Sequence, residues 1–124
     1  MLITAQVTGA NVQDHHQIVA LVTAGKQRSA RLKKVWVDEG YQGNQQRDQI
    51  RDELQIVLEI VPRPSGKGFQ ILSRRWVVER TFGWMGRYRR LSKDYEFDTD
   101  TSLAFIQLAM SHIMVRRLAR RGGP

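Results

Sequence analysis

Two carboxylates in this sequence stand where acid chemistry could be done. Asp38 directly follows Val35-Trp36-Val37 and precedes Glu39-Gly40-Tyr41. In open α/β sheets ligands gather at the carboxyl ends of strands, and a carboxylate there suits a hard cation such as Mg²⁺. Aspartate close before glycine also reads as a turn residue that bonds its own backbone. Glu79 lies in the run Arg75-Trp76-Val77-Val78-Glu79-Arg80. At 100° per helical residue, Arg75, Gly83, Gly86 and Arg90 fall within about 40° of Glu79. Val77, Val78, Thr81, Trp84, Met85 and Tyr88 fall on the opposite arc, which is expected to face a core. Glu79 would then stand on an exposed face among arginines. Two glycines inside that helix would cost about 2 kcal/mol relative to alanine, which predicts that a phosphodiester or another element approaches there. The plainer reading is an Arg75–Glu79 surface pair at i, i+4. Together, the two acids could hold divalent metal beside a phosphate track, the arrangement for phosphodiester cleavage and transfer.

The charge agrees with such a track. The chain has 124 residues, 20 Lys+Arg and 12 Asp+Glu, for a net charge of +8. Seven basic residues fall between positions 74 and 93: Arg74, Arg75, Arg80, Arg87, Arg89, Arg90 and Lys93. Arg116, Arg117, Arg120 and Arg121 form a second cluster. Arginine predominates, and its planar fork fits phosphate oxygens. A polyanionic partner follows, nucleic acid before acidic membrane; the alternative is a solvated basic face. The absence of cysteine excludes a disulfide framework, a zinc–thiolate site and a thiol nucleophile. No apolar run approaches the roughly 20 residues of a membrane span, and the start does not read as a signal peptide. A basic, cytoplasmic protein of one domain is expected. His15 and His16 project about 100° apart on a helix and suit a surface better than a shared metal. His112 reads as a boundary residue.

These groups need elements to hold them. Leu2–Thr8 is apolar and β-branched and predicts a strand ended by Gly9. Asn11 or Asp14 would cap a helix to about Ala24, stopped by Gly25. Val35–Val37 predicts a strand. Asn44 would cap a helix over Gln45–Leu54, with Ile50 and Leu54 sharing a face. Ile56–Val61 predicts a third strand, and Pro62–Gly68 a loop. Helices follow over Ser73–Tyr88 and Thr101–Arg120, the second with Leu103, Ile106, Met110, Ile113 and Met114 as its apolar stripe. The order β-α-β-α-β-α-α implies an α/β layer with some parallel pairing. Three strands are few for so much helix, so the chain reads as the latter part of a fold.

At these residues a family resemblance emerges. Val35-Trp36-Val37-Asp38-Glu39-Gly40-Tyr41-Gln42-Gly43 resembles the segment around the second catalytic aspartate of bacterial insertion-sequence DDE transposases. Arg75–Trp84, continued by Arg87–Glu96, resembles their glutamate-bearing helix and the basic turn after it. Thr8–Asp14 is similar to the strand-to-helix join of the same family. The resemblance covers nearly all of residues 1–124. It implies the C-terminal part of a ribonuclease-H-like catalytic domain, an incomplete core whose first two strands are missing. In that family three carboxylates hold two Mg²⁺ (or Mn²⁺) ions that activate water or a DNA 3′-hydroxyl. Asp38 maps onto the second carboxylate and Glu79 onto the third, both catalytic and both metal ligands. Arg75 and Arg87 occupy basic positions expected to contact DNA, and Arg80, Arg89, Arg90 and Lys93 extend that DNA-binding track. Leu72 stands where the family usually has a tyrosine, three residues before Arg75. The first aspartate of the family lies on an earlier strand, and no residue here, Asp14 included, matches it.

The resemblance therefore implies two functional readings. The chain is a transposase fragment, inactive or dependent on a partner, whose DNA partners would be transposon ends and target DNA. Alternatively it is a non-catalytic DNA-binding fragment that represses an intact transposase. A homo-oligomer or pairing with intact transposase, association with the bacterial nucleoid, and no membrane are the expected partnerships. An RNA-binding module is disfavoured because no aromatic stacking motif is present.

Overall fold

The computed structural model describes residues 2–41, 43–62, 66 and 73–122, and of residues 14, 15 and 73–75 the backbone alone. Most of the loop expected at Pro62–Gly68 lies outside the described residues. The chain divides into two compact units, Ala10–Glu79 and Met1–Gly9 with Arg80–Pro124.

The first unit carries α1 (Asp14–Arg28), β1 (Lys34–Asp38), α2 (Asn44–Leu54) and β2 (Val57–Val61). The strands β1 and β2 pair in parallel, with Lys34 opposite Val57 and Asp38 opposite Val61. A parallel pair needs a crossover, and α2 supplies it. Period-two alternation turns Val35 and Val37 to one face and Lys34, Trp36 and Asp38 to the other. Val37 and Leu58 meet Ile18 and Val22 of α1, Ile50 of α2 and the linker residue Ile56 in a single buried cluster. Ile50 and Ile56 are fully buried. On the opposite face Trp36 and Val57 are half exposed, and Lys34 Nζ bonds Glu59 Oε2 at 2.8 Å across the strands.

The expected boundaries shift for local reasons. The first helix runs past Gly25 to Arg28. Lys26 reaches forward to donate to the Ala30 and Leu32 carbonyls at 3.0 and 2.9 Å, and basic residues in a last turn oppose the helix dipole. Those contributions outweigh the roughly 1 kcal/mol preference for alanine over an interior glycine. Asn44 is the first helical residue of α2, and Gly43 is the N-cap. The Gln46 side-chain Oε1 folds back into the space that a Cβ on Gly43 would fill. The helix α2 ends at Gln55, which adopts a left-handed φ of 54° and donates its amide to the Arg51 carbonyl at 3.0 Å. That sharp reversal lets β2 begin two residues later.

In the second unit, Leu2–Thr8 joins no ladder among the described residues, and the strand expected there is not formed. The described sheet holds β1 and β2 alone. β-Branched residues favour an extended chain, but a strand exists only where a neighbour supplies its hydrogen bonds. The observed order is thus α-β-α-β-α-α, with a 3₁₀ turn between the last two helices, in place of β-α-β-α-β-α-α.

The helix α3 (Ser73–Met85) spans the boundary between the units, and the 3₁₀ turn Arg89–Leu91 follows it. The last helix, α4 (Thr99–Arg121), is longer than its apolar stripe alone predicts. Asp98 caps it by accepting from the Asp100 amide at 3.0 Å. Asp100 in the first turn and Arg120 and Arg121 in the last complement the dipole at both ends. Ala109 and Met110 are its buried residues; Leu103, Ile106, Ile113 and Met114 are half-buried. Among the described residues no helix is long and apolar enough to cross a membrane.

Candidate nucleic-acid interface and acidic residues

Asp38 ends β1 on the sheet face opposite the core, and it is exposed. Its Oδ1 accepts from the Gly40 amide at 3.0 Å, and its carbonyl accepts from Tyr41 N–H at 3.2 Å. Asp38 therefore makes the expected turn bond and stands at the carboxyl end of its strand. The turn holds the carboxylate at the carboxyl edge of a parallel pair. A Cβ on Gly40 would lie 3.0 Å from that same oxygen, so the small residue leaves the carboxylate its place.

Glu79 is exposed in the middle of α3, as its position on the wheel predicts. The surroundings depart from expectation. Trp76, Val77, Val78 and Phe82 are exposed, and no α3 side chain among the described residues is buried. The arc of Val77, Val78, Thr81, Trp84, Met85 and Tyr88 therefore does not form a buried core stripe. Helical period decides which side chains share a face; it does not supply a surface to cover them. Only Gly83 lies inside the helix, because α3 stops at Met85 and Gly86 donates to the Phe82 carbonyl at 2.8 Å as the chain turns. A Cβ at Gly83 would meet nothing within 4 Å, so the predicted close approach is not made by the described residues.

Carboxylate oxygens are the right donors for Mg²⁺ or Mn²⁺. Among the described residues, however, no three His, Asp or Glu side chains gather as a metal-binding group. Asp38 and Glu79 belong to no such group among the described residues.

The arginines sort into distinct tasks. Arg90 forms an ion pair with Glu96 and lies 5.3 Å from the Phe105 ring centroid and 5.9 Å from that of Tyr95, which ties the 3₁₀ turn to α4. Arg89 and Lys93 are exposed. The side chain of Arg75 lies outside the described residues. The Arg80 guanidinium stands 4.7 Å from the Trp84 ring centroid. Arg117 of α4 stands 4.1 Å from the same ring. Arg87, Arg116, Arg117 and Arg120 line a cleft of about 430 Å³ together with Trp84 and Tyr88. Tyr88 Oη and His112 Nδ1 are hydrogen-bonded at 2.8 Å in its wall. The Arg116–Arg121 cluster was visible in the sequence as charge. Its convergence with Arg87 was not, and the one available signal was the i, i+4 spacing of Arg116 and Arg120.

Residues 1–114 match the sequence profile of the family described as Transposase DDE domain. The chain belongs to the DDE transposases. It is 33% identical over 125 residues to a protein from Burkholderia cepacia named as a transposase for insertion sequence element IS402. That alignment covers 95% of this chain and 59% of the relative, so the chain spans about three-fifths of the relative's length. No solved structure matches it.

Proposed function

We propose that this chain supplies two carboxylates, Asp38 and Glu79, of a transposase catalytic centre that cuts and joins DNA at element ends. The reading sets β1–α2–β2 inside a ribonuclease-H-like core and assigns Mg²⁺ or Mn²⁺ to the two acids. Arg75, Arg80, Arg87, Arg89, Arg90 and Lys93 are assigned to the DNA. The observation that carries it is Asp38 at the carboxyl end of a parallel strand, in a DDE-family chain whose other candidate acid stands exposed on α3. Metal ions would stabilise the attacking and leaving oxygens of the phosphodiester. In this reading the described residues do not complete the carboxylate set, since no three His, Asp or Glu gather among them, and the chain is inactive alone or dependent on a partner.

The test is single-turnover cleavage of element-end DNA in Mg²⁺ or Mn²⁺, with the chain alone and with an intact relative added. Cleavage by the chain alone refutes its inactivity. Cleavage that needs the relative and is lost in Asp38→Asn or Glu79→Gln supports the catalytic reading.

A second reading, repression of an intact transposase by occupying element ends, is favoured by one observation. Arg87, Arg116, Arg117 and Arg120 line one cleft, whereas no three His, Asp or Glu gather among the described residues. Repression that survives Glu79→Gln selects this reading.

A further inference from the structure

The cleft between the turn after α3 and the C-terminal half of α4 is a charge concentration that the family's acids do not explain. Arg87, Arg116, Arg117 and Arg120 line it, and among the described residues no acid does. The four acids of the second unit, Asp94, Glu96, Asp98 and Asp100, all fall within one short segment. Like charges brought together without a counter-charge repel one another, and an anion entering the cleft relieves that repulsion. The helix dipole accounts for Arg120 and Arg121 in the last turn, but not for Arg87, Arg116 or Arg117. Arg117 is also held in place on the Trp84 ring, which lowers the entropy lost when it grips a ligand.

The aromatic groups narrow the ligand. Trp84 already carries two guanidiniums, Arg80 and Arg117. Tyr88 is engaged by His112 both through its hydroxyl and edge-to-face, ring centroids 5.8 Å apart. Neither ring offers a bare platform for stacking a base, so the cleft suits a phosphodiester backbone rather than an unpaired base. Arg116 and Arg120 are four residues apart, about 6 Å along the helix axis. A DNA strand presents one charge per roughly 3.4 Å of its axis, so the pair can meet neighbouring phosphates.

We propose that this cleft extends the DNA contact assigned to Arg87: Arg116, Arg117 and Arg120 join it in a sequence-independent clamp on the phosphate backbone of duplex DNA. The proposal rests on the reading of DNA as the partner, but not on catalysis.

The experiment is fluorescence anisotropy of a labelled duplex of unrelated sequence with the full chain, across a range of salt concentrations. Each lost phosphate contact makes the slope of log affinity against log salt shallower by roughly 0.9. Arg116→Gln with Arg120→Gln is therefore expected to flatten the slope by about 1.8 in total, whereas Arg116→Lys with Arg120→Lys retains it. Arg31→Gln with Lys33→Gln removes the same charge from exposed positions in the first unit and should leave the slope unchanged. An unchanged slope in the Arg116/Arg120 variant overturns the clamp, as does equal flattening in the charge-matched control. Tighter binding of the single strand than of the duplex also overturns it. Cleavage assays judge the catalytic reading separately: a clamp that passes with no cleavage under any condition leaves the DNA contact standing and removes the enzyme.

Discussion

The Gly40 amide donates to Asp38 Oδ1 at 3.0 Å, so an acid proposed to bind metal also stabilises the turn that presents it. Asparagine can accept the same bond. Asp38→Asn should therefore keep the folding free energy within about 0.5 kcal/mol, and Asp38→Ala should lose about 1 kcal/mol with the hydrogen bond. Urea melts of the three proteins measure the difference. Equal melts for Asn and Ala would show that the turn does not depend on this oxygen.

Gly40→Ala probes the same turn from the other side. Its Cβ would sit 3.0 Å from Asp38 Oδ1, so the carboxylate must shift. In the cleavage assay with an intact relative, this variant should lose activity while its melt changes little. Activity equal to wild type would mean that the carboxylate position is not critical.

Gln55 ends α2 in a left-handed conformation, which costs a residue with a Cβ roughly 1–2 kcal/mol. Gln55→Gly should raise stability by about 1 kcal/mol once the glycine's greater unfolded-state freedom is set against that relief. Gln55→Val should lower it. A chemical denaturation midpoint that falls in the glycine variant contradicts the assigned backbone.

Ile50 is fully buried where α1, α2 and the sheet meet. Truncation to alanine should cost about 2–5 kcal/mol, a large part of the stability of so small a core. Loss of cooperative urea unfolding in Ile50→Ala would be the visible result; a wild-type melt would place the core elsewhere.

Asp98 caps α4 by accepting from Asp100 N–H. Asp98→Ala should remove about 1 kcal/mol and fray the first turn, read by amide hydrogen exchange at Asp100–Ser102. Unaltered protection there would show that another group serves as the cap.

Much of this protein is written locally. Helix periodicity and strand alternation located α1, β1, α2, β2, α3 and α4, since those patterns depend on residues only a few positions apart. The acids Asp38 and Glu79, and the excess of arginine, follow from the order of residues, as does membership of the DDE family. Tertiary structure decided the rest. Leu2–Thr8 has the composition of a strand, but pairing is a property of two segments, and it joins no ladder among the described residues. The apolar side of α3 looks like a core stripe, yet Val77, Val78 and Phe82 are exposed, because cover comes from other elements. Arg87 and Arg116 are 29 positions apart in the chain; only the packing of the turn after α3 beside α4 brings their charges to one cleft. Local pattern selects conformation, whereas burial, pairing and convergence of charge depend on residues that the chain separates and the fold reunites.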